Sequence, residues 1–145
     1  MVVGPAHHYG VNVSDIDRSI EFYRDVLGLE VLREEQELSD HHEDLLGVDG
    51  TEGTFAVLGG NGFKFELKSI SEPSTKNINA MRRPVDIGDD HFCWEVEDID
   101  ATYEELTERG VEFLGPPKSV GTVDSRVAYF YDPDGNVLEL VEPGS

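Results

Sequence analysis

The chain has 145 residues, of which 38% are hydrophobic and 9% aromatic, enough for one domain with a core and too few for a long repeat array. Its 31 acidic residues outnumber the 11 basic ones, and the net charge of −20 argues against nucleic acid and anionic membranes as partners. The acidic, lysine-poor composition suggests a halophilic source, because a salty cytoplasm screens such self-repulsion. An acidic protein from a mesophile is the alternative.

Cysteine content and hydropathy indicate the cellular compartment of the protein. Cys93 is the single cysteine and cannot form an internal disulfide, which favours a reducing environment. The sequence has no basic segment leading into an apolar run at its start, and no apolar stretch long enough to span a membrane. These features predict a cytoplasmic protein.

The first half of the chain predicts a strand, a helix and further strands. Alternating apolar residues follow His8, and a helix over residues 18–27 is expected to end at Gly28. Asp15 is a plausible N-cap for this helix. A later strand from Phe63 carries Glu66 on its polar face.

The second half repeats this order. His8 and His91 each precede an Asp-Ile-Asp tripeptide by seven residues. The second tripeptide, which begins at Asp98, starts a predicted helix that ends before Gly110. Glu66 and Glu139 each follow a glycine by four residues near the ends of the two halves. The chain is therefore predicted to be one domain with a duplicated module, at about residues 5–70 and 90–143, joined by a linker at about 71–89.

Strand alternation places the repeated histidines and glutamates on the faces opposite the apolar ones. A sheet curved so that these faces converge would bring together His8, Glu66, His91 and Glu139. Two imidazoles and two carboxylates suit a divalent ion such as Zn²⁺, Ni²⁺, Co²⁺, Fe²⁺ or Mn²⁺, and they leave positions for substrate. The spacing alone leaves a metal site and ordinary solvated side chains as equal alternatives.

Two longer motifs add a family resemblance. The first runs from His8 through Ser14-Asp15-Ile16-Asp17-Arg18-Ser19 to Leu27-Gly28-Leu29, and the second is Asp132-Pro-Asp-Gly-Asn-Val-Leu-Glu-Leu140. They resemble the opening and closing motifs of the vicinal oxygen chelate superfamily, which includes glyoxalases, bleomycin-resistance proteins and dioxygenases. The resemblance implies an α+β fold of two tandem βαβββ modules, forming a cup-shaped mixed β-sheet around a metal site, and a homodimer.

The same resemblance implies an activity. His8, Glu66, His91 and Glu139 fall on the ligand positions of bacterial-type glyoxalase I, a lyase or isomerase that converts the hemithioacetal of a 2-oxoaldehyde and a small thiol through an enediolate. By analogy Glu139 is the proton-transferring base and Glu66 its counterpart. The alternatives are another metalloenzyme of this fold, namely a thiol transferase, an epimerase or a dioxygenase, or a protein that binds a small molecule without turnover.

Other residues are weaker candidates for a role in the site. By alternation His7 is expected to point away from His8, and His41 and His42 lie in a polar segment that is expected to be solvated. The pair Arg82-Arg83 could bind a substrate carboxylate or serve linker solubility. Arg126 could reach the site or pair with a surface acid. Cys93 is expected to be a small filler beside His91.

Overall fold

The chain divides into two units, Met1–Asn77 and Ile78–Ser145, in a computed structural model that describes residues 1–121 and 124–144. The first unit contains four strands and two helices. In chain order these are β1 (Tyr9–Asn12), α1 (Ile16–Glu21), β2 (Glu30–Glu37), α2 (His42–Leu46), β3 (Glu52–Gly60) and β4 (Phe63–Glu72).

The second unit repeats the strand–helix–three-strand order. A short 3₁₀ turn, Ile78–Met81, precedes its regular elements. These are β5 (Phe92–Glu95), α3 (Ile99–Glu108), β6 (Lys118–Val120), β7 (Ser125–Tyr131) and β8 (Val137–Glu142).

Each unit contains a four-stranded mixed sheet, and the two sheets have equivalent strand orders. The orders are β1-β4-β3-β2 and β5-β8-β7-β6. In each sheet the first and last strands of the unit pair in parallel, β1 with β4 and β5 with β8, while the remaining pairs are antiparallel. The predicted α+β class and the duplicated βαβββ order are confirmed.

Aspartates begin the main helix of each unit, as the sequence predicts. Asp15 accepts a hydrogen bond from the Arg18 backbone N–H at 3.1 Å, and Asp98 accepts one from Ala101 at 2.9 Å. Each carboxylate satisfies a backbone donor that the first helical turn leaves without a partner. The first helix differs from the expectation, because it continues from α1 as a π-helical turn over Phe22–Val26.

The apolar faces of the strands form a core in each unit. In the first unit, Phe65 of β4 is fully buried and packs against the ring of Tyr23 at a centroid distance of 4.7 Å. In the second unit, the buried Phe130 of β7 lies 5.3 Å from the ring of Phe113. Because side chains alternate along a strand, burying these rings turns neighbouring polar side chains to the opposite face.

Tight turns fix the register of the strands that carry the two glutamates. Asn61 and Gly62 join β3 to β4, and both have positive φ values, 52° and 79°. Such a pair matches the twist of a hairpin. A one-residue slip would turn Glu66 to the other face of β4, so this turn helps determine where the carboxylate points.

The turn before β8 is built around a buried carboxylate. Asp132 accepts hydrogen bonds from the backbone N–H groups of Asp134 and Asn136, both at 2.9 Å, and from the Asn136 amide at 2.7 Å. Asn79, from the short turn that opens the unit, donates to the Asp134 carbonyl at 3.1 Å. This network leads directly into the strand that carries Glu139.

No helix in the described part of the chain combines the length and the apolar character needed to cross a lipid bilayer.

Candidate metal centre

The first unit brings His8 close to Glu66. His8 directly precedes β1, and Glu66 lies in β4, the parallel neighbour of β1. The His8 Nε2 atom is 4.0 Å from Oε2 of Glu66, and their side chains are 41% and 21% exposed. Gly10 is the residue opposite Glu66 in the ladder, so no side chain from β1 covers the carboxylate there.

His7 also belongs to this site, contrary to the expectation from alternation. Its Nδ1 atom lies 2.8 Å from Nδ1 of His8, and both rings line a cavity of about 220 Å³ together with Glu66. The two histidines precede the first residue of β1, so the alternation of strand side chains does not apply to them. A hydrogen bond at Nδ1 leaves Nε2 of His8 directed at Glu66, an arrangement common for metal-binding histidines.

A lysine occupies the other side of the Glu66 carboxylate. Lys68 lies two residues further along β4, on the same face, and its Nζ atom is 3.2 Å from Oε1 of Glu66. Both side chains are 21% exposed. Glu66 therefore contacts an imidazole through one oxygen and an ammonium group through the other.

The second unit brings His91 close to Glu139 in the equivalent way. His91 directly precedes β5, and Glu139 lies in β8, the parallel neighbour of β5. The His91 Nε2 atom is 3.1 Å from Oε2 of Glu139, whose side chain is only 13% exposed. The His91 ring packs edge-on against Tyr129 with a centroid distance of 5.2 Å.

Uncharged groups flank Glu139 on both sides of β8. Cys93 is its ladder partner on β5 and Tyr129 its partner on β7. Burial, followed by the nearby Glu139 charge, raises the pKa of the Cys93 thiol to about 12. Burial and the interaction with Glu139 also raise the pKa of Tyr129 above its usual value. Both groups are therefore protonated at neutral pH.

The chemistry of these donors fits a divalent ion. Imidazole nitrogen and carboxylate oxygen bind such ions at about 2.0–2.2 Å, so neighbouring ligand atoms on one ion lie roughly 3 Å apart. The His91–Glu139 separation of 3.1 Å has this value, and the His8–Glu66 separation of 4.0 Å is somewhat longer. Within residues 1–121 and 124–144, no group of three or more His, Cys, Asp or Glu side chains is arranged to hold a metal.

The remaining candidate cations are engaged elsewhere. Arg82 forms an ion pair with Asp89 at 3.2 Å, and Arg83 forms one with Asp86 at 2.8 Å. Arg126 pairs with Asp100, and this contact lowers the pKa of the Asp100 carboxyl. Arg126 therefore pairs with a surface acid, which is one of the two alternatives that the sequence left open for it.

The histidines of the polar segment lie in and beside α2. His42 contacts the Ser39 hydroxyl through Nδ1 at 3.0 Å. His41 precedes the first residue of α2 and is exposed. Neither His41 nor His42 lines the cavity that His8 and Glu66 share.

The sequence from residue 6 to residue 140 matches the Glyoxalase/Bleomycin resistance protein/Dioxygenase superfamily. The chain belongs to this superfamily. The match includes both His–Glu pairs and all but the ends of the chain, and the predicted family membership is confirmed.

Two relatives and one structure illustrate the range of this glyoxalase superfamily. The chain is 31% identical to a lactoylglutathione lyase of Haemophilus influenzae, covering 93% of this chain and 90% of the relative. It is 32% identical to a 2-epi-5-epi-valiolone epimerase of Actinomyces sp, covering 93% and 77%. The crystal structure of a glyoxalase family protein from Bacillus cereus shares the fold, with a TM-score of 0.82, 20% identity, and coverage of 100% and 99%.

Members of the glyoxalase superfamily are mostly enzymes, act on small molecules and typically depend on a divalent metal ion. The repeat in the sequence singled out the four residues of the two His–Glu pairs, but Lys68 and Tyr129 were not predicted as neighbours of the glutamates. The signal for Lys68 was its position two residues after Glu66 on the same strand face. Tyr129 had no such signal, because its place opposite Glu139 depends on the register of β7 with β8.

Proposed function

We propose that the protein is a metal-dependent lyase or isomerase of the glyoxalase I type, acting on the hemithioacetal of a 2-oxoaldehyde and a small thiol. The observation that carries the proposal is the duplication of one His–Glu pair at equivalent positions of the two units, His8 with Glu66 and His91 with Glu139. The 31% identical lactoylglutathione lyase supports this choice within the superfamily.

In this proposal His8, Glu66, His91 and Glu139 hold one divalent ion, with both pairs supplied by one chain or by two chains of a homodimer. Such an ion would supply Lewis acidity, which would lower the pKa of the substrate C–H bond and stabilise negative charge on the substrate oxygens.

Glu139 is the proposed base. It removes the proton from C1 of the hemithioacetal, and the electron pair of that bond moves toward the C2 carbonyl to give an enediolate. The carboxylic acid then returns the proton to C2, and the C1 hydroxyl becomes the thioester carbonyl with loss of its own proton to the enediolate oxygen. Atoms and electrons balance, because the reaction is an isomerisation.

The surroundings of the two glutamates favour Glu139 over Glu66 for this role. The Lys68 ammonium group lies 3.2 Å from one Glu66 oxygen and engages that carboxylate in an ion pair. Glu139 has no comparable cation among the described residues; its ladder neighbours are the uncharged Cys93 and Tyr129. Glu139 is therefore the less exposed of the two carboxylates and the one that no lysine engages, which leaves it available to contact the substrate.

Epimerisation of a small carbonyl compound is the second candidate, and the 32% identical epimerase supports it. Its chemistry also begins with removal of a proton next to a carbonyl group, so the same carboxylate would act. The two candidates differ in the substrate that is turned over. A dioxygenase would instead consume oxygen, and a binding protein would keep its ligand affinity in the Glu139→Ala variant.

The first experiment measures metal binding. Elemental analysis of the protein purified in high salt is followed by titration with divalent ions, for wild type and for the His8→Ala/His91→Ala variant. The matched control is His41→Ala/His42→Ala, which removes two imidazoles from the α2 region. We expect one ion per chain in wild type and in the control, and none in the first variant. Absence of metal binding under every condition would overturn the proposal.

The second experiment measures turnover. Metal-loaded protein is mixed with methylglyoxal and each of several thiols, and thioester formation is followed by ultraviolet absorbance. We expect Glu139→Gln to lower kcat by at least about a hundredfold, the usual contribution of a general base. Metal binding without turnover of any hemithioacetal would show that the protein binds metal but would exclude the proposed lyase activity.

A further inference from the structure

The proposed metal ligand His8 shares a hydrogen bond with the imidazole of the residue before it. The Nδ1 atoms of His7 and His8 lie 2.8 Å apart, and the two rings meet edge-on with a centroid distance of 5.1 Å. A contact of this length between two ring nitrogens requires one proton between them. One imidazole therefore donates through Nδ1, and the other accepts.

The direction of this hydrogen bond decides what the second nitrogen of His8 can do. A neutral imidazole carries one proton, so a proton on Nδ1 leaves a lone pair on Nε2, and a proton on Nε2 removes it. Nε2 is the atom of His8 that faces Oε2 of Glu66. It can bind a metal ion only when His8 donates through Nδ1 and His7 accepts.

The surroundings of the two rings favour His8 as the donor. The distance of 4.0 Å from His8 Nε2 to Glu66 Oε2 is too long for a hydrogen bond, so this carboxylate does not hold a proton on Nε2. The other oxygen of Glu66 is paired with Lys68 at 3.2 Å. His7 is exposed, so its own Nε2–H group can donate to water while its Nδ1 atom accepts from His8.

The second unit has a different residue in the equivalent place. Asp90 precedes His91 as His7 precedes His8. His91 Nε2 lies 3.1 Å from Oε2 of Glu139, so the glutamate itself orients the His91 ring. His8 has the longer contact with its glutamate and has a neighbouring imidazole instead. The two histidines are thus oriented by different partners.

We propose that His7 is a positioning residue for the metal centre, which accepts the Nδ1 proton of His8 and so keeps the Nε2 lone pair of His8 available to the ion. The inference rests on the proposed function, because it takes His8 as a metal ligand. A hydrogen bond at the second nitrogen fixes the tautomer and the ring orientation of a metal-binding histidine and raises its basicity as a ligand. His7 acts through His8 and is not itself a ligand.

Three variants at position 7 separate the hydrogen bond from the contact between the rings. His7→Ala removes both, His7→Phe keeps an aromatic ring beside His8 but has no nitrogen, and His7→Asn supplies a carbonyl oxygen that can accept the proton. The matched control is His41→Phe, which replaces an exposed imidazole that does not line the cavity. Dissociation constants for Zn²⁺ are measured by competition with a chromophoric chelator.

The hydrogen bond should contribute to metal affinity. We expect His7→Ala and His7→Phe to weaken Zn²⁺ binding about tenfold, the lower end of the usual range for such partners, because His7 is exposed and His8 is 41% exposed. His7→Asn should restore most of the affinity, and His41→Phe should leave it unchanged. The stoichiometry should remain one ion per chain in every variant.

Nuclear magnetic resonance of the ¹⁵N-labelled, Zn²⁺-loaded protein locates the proton. We expect a scalar coupling between the Nδ1 nuclei of His7 and His8 across the hydrogen bond, with the proton bonded to His8. In His7→Phe the coupling should be absent, and the His8 Nδ1 proton should exchange faster with water. A proton bonded to Nδ1 of His7, or no coupling between the two rings, would overturn the inference.

The affinities provide further grounds for rejection. Equal Zn²⁺ affinity in wild type and His7→Phe, or no recovery in His7→Asn, would contradict a positioning role. Loss of the ion in His7→Ala as complete as in His8→Ala would make His7 a ligand and would also contradict it.

Failure of the proposed function gives a different pattern. Zn²⁺ binding that depends on His7, without turnover of any hemithioacetal, would exclude the lyase activity and support the positioning role. No Zn²⁺ binding by the wild-type protein would overturn both.

Discussion

Tyr129 lies directly opposite Glu139 in the antiparallel ladder between β7 and β8. The equivalent position opposite Glu66 is occupied by Val57. In the parallel ladders on the other side, Cys93 lies opposite Glu139 and Gly10 lies opposite Glu66. The two units therefore share a His–Glu pair, while the residues beside each glutamate differ. Glu139 has the uncharged neighbours Cys93 and Tyr129, whereas Glu66 has Lys68 beside it.

Replacing Tyr129 tests whether its hydroxyl positions Glu139. We expect Tyr129→Phe to lower kcat about tenfold, because a neutral donor near a carboxylate contributes a charge-assisted interaction of about 1.5–3 kcal/mol. Metal stoichiometry should be unchanged. Steady-state kinetics and metal titration of the same samples provide the measurement. The control is Tyr131→Phe, which makes the same change on β7 opposite Val137 and should leave kcat unaltered.

Replacing Lys68 should strengthen metal binding. The ammonium group lies 3.2 Å from the Glu66 carboxylate and repels a divalent ion that approaches the same oxygens. We expect Lys68→Met to lower the dissociation constant for the metal about tenfold, a modest value because both side chains are partly exposed. Competition with a chromophoric chelator measures it.

The exposed Lys76 supplies the control for this experiment, since Lys76→Met changes the net charge equally and leaves Glu66 untouched. Weaker metal binding in Lys68→Met would show that Lys68 holds Glu66 in a binding conformation rather than competing with the ion.

The repeat and the strand pattern were sufficient to single out His8, Glu66, His91 and Glu139, but not to predict which histidine contacts which glutamate. Parallel pairing of the first and last strands of each module follows from the βαβββ order, and this pairing brings each histidine beside its glutamate. Local rules also predicted the caps at Asp15 and Asp98, because a cap depends on neighbouring residues alone.

Features that depend on long-range register were not predictable in this way. Arg33 lines the cavity that His8 and Glu66 share because the β2–β3 register shifts between Val31 and Arg33. Tyr129 lies beside Glu139 because of the pairing of β7 with β8. The prediction that His7 points away from His8 was wrong because the strand begins two residues after His7. Alternation reports the direction of a side chain only within a regular strand.

The Cys93 thiol predicts a pH dependence of stability. Its folded pKa of about 12 lies above the ordinary value of 9.0, so the unfolded chain releases this proton first as the pH rises. The stabilising effect is complete below about pH 9 and is lost progressively between pH 9 and 12. Urea unfolding at pH 8 and pH 10.5 should show a smaller loss for Cys93→Ala than for wild type. Equal losses in the two proteins would contradict this reading of the thiol.

Removing the carboxylate of Asp132 should destabilise the second unit. Its oxygens accept three hydrogen bonds in the turn before β8, and the side chain is buried, so Asp132→Ala leaves three donors without their acceptor. We expect a loss of about 2–4 kcal/mol in the free energy of unfolding. Urea titration followed by circular dichroism measures it. Glu104→Ala removes an exposed carboxylate from α3 and should change the value by less than about 0.5 kcal/mol.

The net charge of −20 predicts that salt stabilises the folded chain. Mutual repulsion of the acidic groups favours expansion, and the Debye length falls from about 10 Å at 0.1 M salt to about 3 Å at 1 M. We therefore expect Tm to rise as KCl increases from 0.1 M to 2 M. Replacing Glu34, Glu35 and Glu37 of β2, all exposed, with glutamine should raise Tm at low salt and reduce its dependence on KCl. A salt dependence that is identical in the two proteins would mean that KCl acts on apolar hydration rather than on charge, and the composition would then give no support to a halophilic source.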